Sequence, residues 1–460
     1  MGAKATNGHK DALVYSKQLS HSFVSENHKS GGSTVASACA QSMYTNISRC
    51  RICGNKDLDS LLDLGRLALT GIFPGCSGTE MPALPLELVK CRDNGSSHTC
   101  GLVQLRQSFQ PAAMYGLNYG YRSGLNRSMV DHLQKKAEKI KSVVNLGEND
   151  LILDIGSNDG TLLKAMDRPG LDLIGMDPTG VKFREFYPPH ITLIPDFFSA
   201  PKFLKESGER KAKVVTSIAM FYDLDDPLDF VRQVYEILAE DGVWIFEQSY
   251  LPTMLAMTAY DTICHEHAEY YALKQILWML DKVGFVIIGV ELNTVNGGSF
   301  SVTAAKKSSG YARDESSVQR LLCEEKRIDL SGNDIYDQFR ARVFKHRDEL
   351  QQFLRAARKM GHLTLGYGAS TKGNVMLQFC GITAEELPFI AEINTDKFGA
   401  FTPGTKIPII SEDEARSMKP DAFLVFPWHF RDSIVARENR FLDTGGKLVF
   451  PLPKIEVLGN

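Results

Sequence analysis

The chain has 460 residues, enough for several domains of about 100–200 residues each, and its 43% hydrophobic and 23% charged content is ordinary for a globular protein. Lys and Arg (52) nearly balance Asp and Glu (55), a formal charge of −3 without a long basic run, which argues against a dedicated nucleic-acid binder. No apolar stretch approaches the roughly 20 residues that span a bilayer, so a membrane-spanning protein is excluded.

Residues 1–47 are rich in Ser, His, Lys, Asn and Gly without periodicity and read as a disordered tail. They hold no continuous apolar segment of the kind a secretory signal needs, so a cytoplasmic protein is expected. The opening Met-Gly-Ala-Lys-Ala-Thr fits the loose N-myristoylation pattern through Gly2 and Thr6, and nothing else supports lipid anchoring.

Five of the nine cysteines fall between residues 50 and 100. Cys50-Arg-Ile-Cys53-Gly54 is a knuckle: two thiolates at this spacing meet one tetrahedral ion, and the glycine permits the tight turn. Cys91 and Cys100 form a second pair, wider than a normal knuckle, with His98 and Cys76 as substitute ligands. The reading is a closed structural Zn²⁺ site of Cys50, Cys53, Cys91 and Cys100 that staples a small lobe at 48–115 and is not catalytic.

From about residue 150 short β-rich runs alternate with helical stretches, the pattern of a parallel, doubly wound sheet. Leu153-Asp154-Ile155-Gly156-Ser157-Asn158-Asp159-Gly160 is a strand running into a glycine turn, without the G-x-G-x-x-G dinucleotide spacing. Asp177 ends the next strand, 21 residues after Gly156, where a carboxylate accepts from ribose hydroxyls. Asp196-Phe197-Phe198 follow the third strand, a carboxylate and aromatics suited to adenine. The set resembles the class I S-adenosylmethionine methyltransferases. That resemblance implies a cofactor site of Asp154, Gly156, Asn158, Gly160, Asp177, Asp196 and Phe197, in a domain at 116–307 whose final hairpin is Phe285–Val290 with Ser299–Ala305.

The segment Tyr260–Tyr271 is dense in titratable groups, including His265-Glu266-His267. Its histidines stand at i and i+2, not at the i, i+4 of a metalloprotease helix, so the segment reads either as a polar surface turn whose tyrosines pack into the core or as a site for a general base. Residues 333–360 form an amphipathic helix stopped at Gly361, within a helical linker at 308–360, and its charges read as a solvated face. Gly366-Tyr-Gly-Ala-Ser-Thr-Lys-Gly-Asn374 opens a second strand–turn–helix unit at 361–460, whose backbone N–H groups, hydroxyls and lysine suit a diphosphate.

With these motifs, and with Cys100–Leu105, Tyr121–Asn126 and Asn296-Gly-Gly-Ser299, the chain resembles over about 48–455 the C-methyltransferases of nucleotide-linked keto-deoxysugars. The resemblance implies a class I doubly wound α/β sheet, flanked by the zinc lobe and a C-terminal Rossmann-like α/β domain. It implies methyl transfer to C3 of a nucleotide-linked 4-keto-deoxysugar. His267 would be the base that forms an enolate, assisted by Glu266, His265 and a tyrosine, Tyr121 or Tyr119. It further implies acceptor contacts at Asn296, Gly298, Ser299, Tyr367, Ser370, Thr371, Lys372 and Asn374, and a monomer or small homo-oligomer. The departures are the wide Cys91–Cys100 gap and Cys264, where some relatives carry tyrosine. The competing readings are an O- or N-methyltransferase and a zinc-stapled binding module.

Overall fold

The computed structural model describes residues 43–93, 95, 98–115 and 119–459, leaving aside the side chains of 112 and 113. Residues 1–42 of the expected tail lie outside the described residues. Ile47, counted in that tail, donates its N–H to the Arg106 carbonyl at 2.8 Å. No helix among the described residues is long and apolar enough to cross a membrane.

Residues 45–460 form one compact unit built on three main sheets. The central sheet has seven strands in the order Phe285–Asn293, Ser299–Lys306, Leu238–Ser249, Ala212–Ile218, Leu151–Ile155, Asp172–Met176 and Thr192–Ile194. The last five run parallel, and the first two form the antiparallel hairpin expected to close the sheet. Leu151–Ile155 is buried at all five positions, because helices cover both faces of a parallel sheet and leave no wet side for alternation. The strand order reverses between Leu151–Ile155 and Ala212–Ile218, where doubly wound sheets leave a crevice at their carboxyl ends.

The zinc-lobe sheet runs Leu58–Ala68, Ala83–Cys91, Val103–Leu105 and then Glu269–Tyr270, all antiparallel. Its fourth strand therefore comes from the segment directly after His265-Glu266-His267. The C-terminal sheet has six strands: Ile409–Ser411, Ile390–Glu392, Thr364–Tyr367, Ala422–Val425 and Lys447–Phe450 in parallel, with antiparallel Glu456–Leu458 at the edge.

The stretch 308–360 holds two helices. The first, Glu315–Arg327, is no free linker: Leu321 joins the central core, and the Glu325 carboxylate accepts from the Leu273 and Lys274 N–H groups and the Tyr250 hydroxyl. The second, Asp334–Lys359, buries Tyr336, Phe339, Val343, His346, Leu350, Leu354 and Ala357 along one stripe and ends before Gly361 at φ +80°. Its charged face is only partly solvated. Arg342 donates to the Leu255 carbonyl at 2.6 Å and the Thr258 hydroxyl at 3.1 Å, satisfying acceptors at the end of helix Leu251–Ala256.

Candidate active site

The knuckle turn closes through Gly54, whose N–H reaches the Cys50 carbonyl at 2.9 Å with φ +73°. Cys91 ends its strand, and Cys100 directly precedes Gly101 at φ +73°. All four Sγ atoms lie within 4.8 Å of one another, with Cys50–Cys100 and Cys53–Cys91 at 3.5 Å. Tetrahedral zinc at about 2.3 Å from each sulfur puts the sulfurs roughly 3.8 Å apart, so the donor set fits a closed Zn²⁺ site. Cys76 is exposed, and neither it nor His98 belongs to the cluster.

The Leu151–Ile155 strand delivers the glycine turn to the crevice, where Gly156, Asn158 and Gly160 all take positive φ. A Cβ on Gly156 would meet Met220 Cγ at 2.9 Å, so the approach of the two loops requires glycine there. The turn is held from behind: Asn158 N–H donates to Asp177 at 2.8 Å, and Asn158 Oδ1 accepts from Ser123 N–H at 2.9 Å. Asp177 also accepts from the Thr179 N–H and hydroxyl, and burial pushes its carboxyl upward against these bonds. Burial likewise pushes Asp154 up to about 7, with Thr216 Oγ1 donating to it at 2.6 Å.

A cavity of about 270 Å³ opens here, lined among others by Tyr115, Tyr119, Tyr121, Gly156, Asn158, Asp177, Phe197, Asp223, Asn296 and Ser299. A carboxylate at the second strand end, a glycine turn and a wall with Phe197 and Phe198 fit a nucleoside carrying a flexible amino-acid arm, as in S-adenosylmethionine. Asp196 takes no part in the lining and pairs with Lys202 at 2.5 Å near the surface.

The 3-10 turn Tyr260–Thr262 is wholly buried, and Trp428 Nε1 donates to Asp261 at 2.8 Å. His267 lies on the far side of this turn. Its Nδ1 is 2.7 Å from the Thr262 carbonyl, which only accepts, so Nδ1 carries the proton and Nε2 keeps its lone pair. The ring stands edge-on to Tyr222, centroids 4.4 Å apart, and burial followed by the Lys372 charge pulls its pKa down to about 4. His265 points elsewhere, edge-on to Phe109 of the zinc lobe at 4.9 Å, with its pKa pulled down to about 4 by burial.

Glu266 reaches back towards the zinc lobe: a Cβ on Gly71 would stand 2.1 Å from its Oε1. Tyr115, Asp223 and Glu266 share this region. Burial raises all three, the Asp223 and Glu266 charges raise Tyr115 further, and the Glu266 charge raises Asp223 further. No hydrogen bond of good geometry satisfies the Tyr115 hydroxyl, Asp223 Oδ1 or Glu266 Oε2 among the described residues.

Residues 50–115 match the family of a proposed zinc binding domain, 121–290 a methyltransferase domain, and 294–453 the C-methyltransferase C-terminal domain. The C-methyltransferase NovU of Streptomyces niveus is 29% identical over 427 residues, 91% of this chain and 98% of that protein. These matches support an S-adenosylmethionine-dependent C-methyltransferase. Among solved structures this methyltransferase is similar to magnesium protoporphyrin IX methyltransferase of Synechocystis PCC 6803 with bound S-adenosylhomocysteine. The identity is 15%, over 39% of this chain and 87% of that one, at a TM-score of 0.31. It is also similar to LepI in complex with S-adenosylmethionine, at 15% identity, 38% and 46% coverage and a TM-score of 0.30.

In the C-methyltransferase, Tyr119, Tyr121, Asn296 and Ser299 reach the same cavity as the cofactor loop, whereas Tyr367, Ser370, Thr371, Lys372 and Asn374 are not among its lining residues. Lys372 instead donates to the Asn296 carbonyl at 2.8 Å, which brings the C-terminal loop against the Asn296–Ser299 turn. Ser370 caps helix Thr371–Phe379 through Gly373 N–H. Tyr367 is spent on Glu438 at 2.8 Å, and Asn374 on the Thr70 carbonyl at 2.7 Å. Gly298 takes φ +117°, with a hypothetical Cβ 2.1 Å from Thr253.

Reading the sequence missed Tyr115, Tyr222 and Asp223. Phe221-Tyr-Asp223 follows the Ala212–Ile218 strand, so its place at the carboxyl end of a central strand was the available signal.

Proposed function

We propose that the enzyme methylates C3 of a nucleotide-linked 4-keto-deoxysugar, with His267 as the general base. The observation that carries this reading is the Thr262 carbonyl bond, which leaves His267 Nε2 as an oriented acceptor beside Tyr222; Asp223, the residue after Tyr222, lines the cavity, whereas His267 and Glu266 are not among its lining residues. A sugar carbon becomes nucleophilic only when an adjacent ketone lets it enolise. The C3–H bond breaks, the proton passes to His267 Nε2, and the electron pair moves onto the ketone oxygen. Tyr115 and Asp223, kept protonated by burial, are donors for that oxygen, as a neutral acid in an apolar site can be. Bound S-adenosylmethionine supplies an electrophilic methyl group, and Asp177 with the Gly156–Gly160 turn would hold it.

Lys372 gives the base a second feature. Its charge lowers the pKa of His267, so an anionic diphosphate bound near Lys372 would offset that effect and strengthen the base when substrate is present. Ser370 and Thr371 precede it at the start of helix Thr371–Phe379. The test incubates the enzyme with nucleotide 4-keto-6-deoxy and 2,6-dideoxy sugars in deuterium oxide without methyl donor. Deuterium is expected at C3, followed by a gain of one methylene on carbon when the donor is added. Methylation on oxygen or nitrogen without prior exchange would replace this reading by an O- or N-methyltransferase.

A further inference from the structure

Arg51 sits between the knuckle cysteines Cys50 and Cys53, yet its side chain is only 2% exposed and is directed away from the thiols. Its guanidinium donates to the Leu105 carbonyl at 2.6 Å, the Gln107 carbonyl at 2.8 Å and the Ser108 hydroxyl at 2.9 Å. Its Nε faces Glu269 Oε1 at 3.6 Å and Asp225 Oδ1 at 3.8 Å.

Both sets of contacts lead to the cofactor cavity. Asp225 lines it directly, as do Asp223 and Leu224 beside it. The 105–108 segment runs into Pro111 and Tyr115, which line the opposite side. Glu269 is fully buried, pairs through its backbone with Gln104, and has Arg51 as its one ion-pair partner among the described residues.

We propose that Arg51 is a positioning residue that couples Zn²⁺ binding at the knuckle to S-adenosylmethionine binding in the cavity. Four Zn–S bonds lock the backbone of residues 50–53 and thereby hold the guanidinium between the 105–108 segment and the Glu269–Asp225 pair. When the knuckle loosens, the guanidinium leaves. Glu269 is then a buried carboxyl group with no cation facing it, and the Asp225 end of the cavity wall loses the guanidinium that holds it against Glu269 and the 105–108 segment. Coupling of this kind is reciprocal: bound cofactor must hold the zinc more firmly by the same factor by which zinc improves cofactor binding.

The experiment uses the full-length zinc-loaded enzyme. Zinc release to a chromogenic chelator is timed with and without saturating S-adenosylmethionine, and cofactor Kd is measured by calorimetry alongside metal content. In the wild type, S-adenosylmethionine is expected to slow zinc release at least tenfold. Arg51→Met should keep one zinc per chain, bind the cofactor at least tenfold more weakly, and lose the protection. Arg51→Lys, which restores the charge without the fork to two carbonyls, should fall between.

Glu269→Gln leaves the knuckle and the carbonyl contacts intact and should also lose the coupling, which covers the case in which Arg51→Met does not fold. Zinc release in the wild type that is indifferent to S-adenosylmethionine would overturn the proposal. So would either non-conservative variant with one zinc, full protection and a cofactor Kd within twofold of wild type.

Discussion

At His267 one backbone carbonyl fixes the tautomer of the ring. A histidine in a segment crowded with titratable groups can be ligand, base or packing residue, and the Thr262 bond selects the tautomer in which Nε2 accepts. Replacing His267 by Asn is expected to lower kcat by about 10²–10⁴-fold, the usual range for a general base, with S-adenosylmethionine affinity unchanged by calorimetry. The pH profile provides a second check. A base whose pKa lies near 4 in the free enzyme predicts an acid limb of kcat/KM close to pH 4, below which the ring is protonated and inactive. With the proposed nucleotide-linked sugar bound, the limb of kcat should lie higher, because its anionic diphosphate would oppose the Lys372 charge. In Lys372→Met the kcat/KM limb should itself move up, since the cation that lowers His267 is gone. Limbs that ignore Lys372 would mean that burial alone tunes the ring.

At the scale of elements, function concentrates in turns that follow strands. The Asp154–Gly160 turn was legible because its glycines stand at a strand-to-helix junction, and Gly156 and Gly160 do take the left-handed conformation. The Asn296–Ser299 turn was legible as a hairpin, but its partners were not: Thr253 against Gly298 and Trp428 against Gly297 come from segments distant in the chain. Gly298→Ala combines positive φ with a clash and should cost about 1–3 kcal/mol in denaturant unfolding while raising the acceptor KM. The amphipathic stripe of Asp334–Lys359 was read correctly in period, yet the contacts of Arg342 to helix Leu251–Ala256 were not. A periodicity gives the buried face and says nothing of what a long side chain at its margin will reach.

Over the whole molecule, the two flanking units are joined by hydrogen bonds between residues some 300 positions apart. Asn374 donates to the Thr70 carbonyl at 2.7 Å, and the Gln378 amide both accepts from Ala68 N–H and donates to Ala68 C=O. Asn374→Leu leaves the buried Thr70 carbonyl without its donor and is expected to cost about 1–3 kcal/mol, read from denaturant midpoints, with zinc content unchanged. Glu269–Tyr270 does comparable work by adding a strand from the segment just after His267 to the zinc-lobe sheet, which ties His267 to the knuckle through main-chain bonds. Neither union has a local signature, since each needs two surfaces that only folding brings together.

The sequence by itself determined the three-part architecture, the knuckle, the glycine turn after the first central strand with Asp177, and the His-Glu-His segment. Each rests on short-range regularity: thiol spacing, strand-to-turn punctuation, or the density of titratable groups within a few residues. The tertiary structure decided which cysteines converge, that His265 and His267 face different neighbours, and that Tyr367 and Asn374 are held by Glu438 and Thr70. It also decided that Tyr115, Asp223 and Glu266 lie close enough for the Asp223 and Glu266 charges to act on Tyr115. Side-chain direction and the pairing of buried polar atoms depend on contacts across hundreds of residues, and no local pattern encodes them.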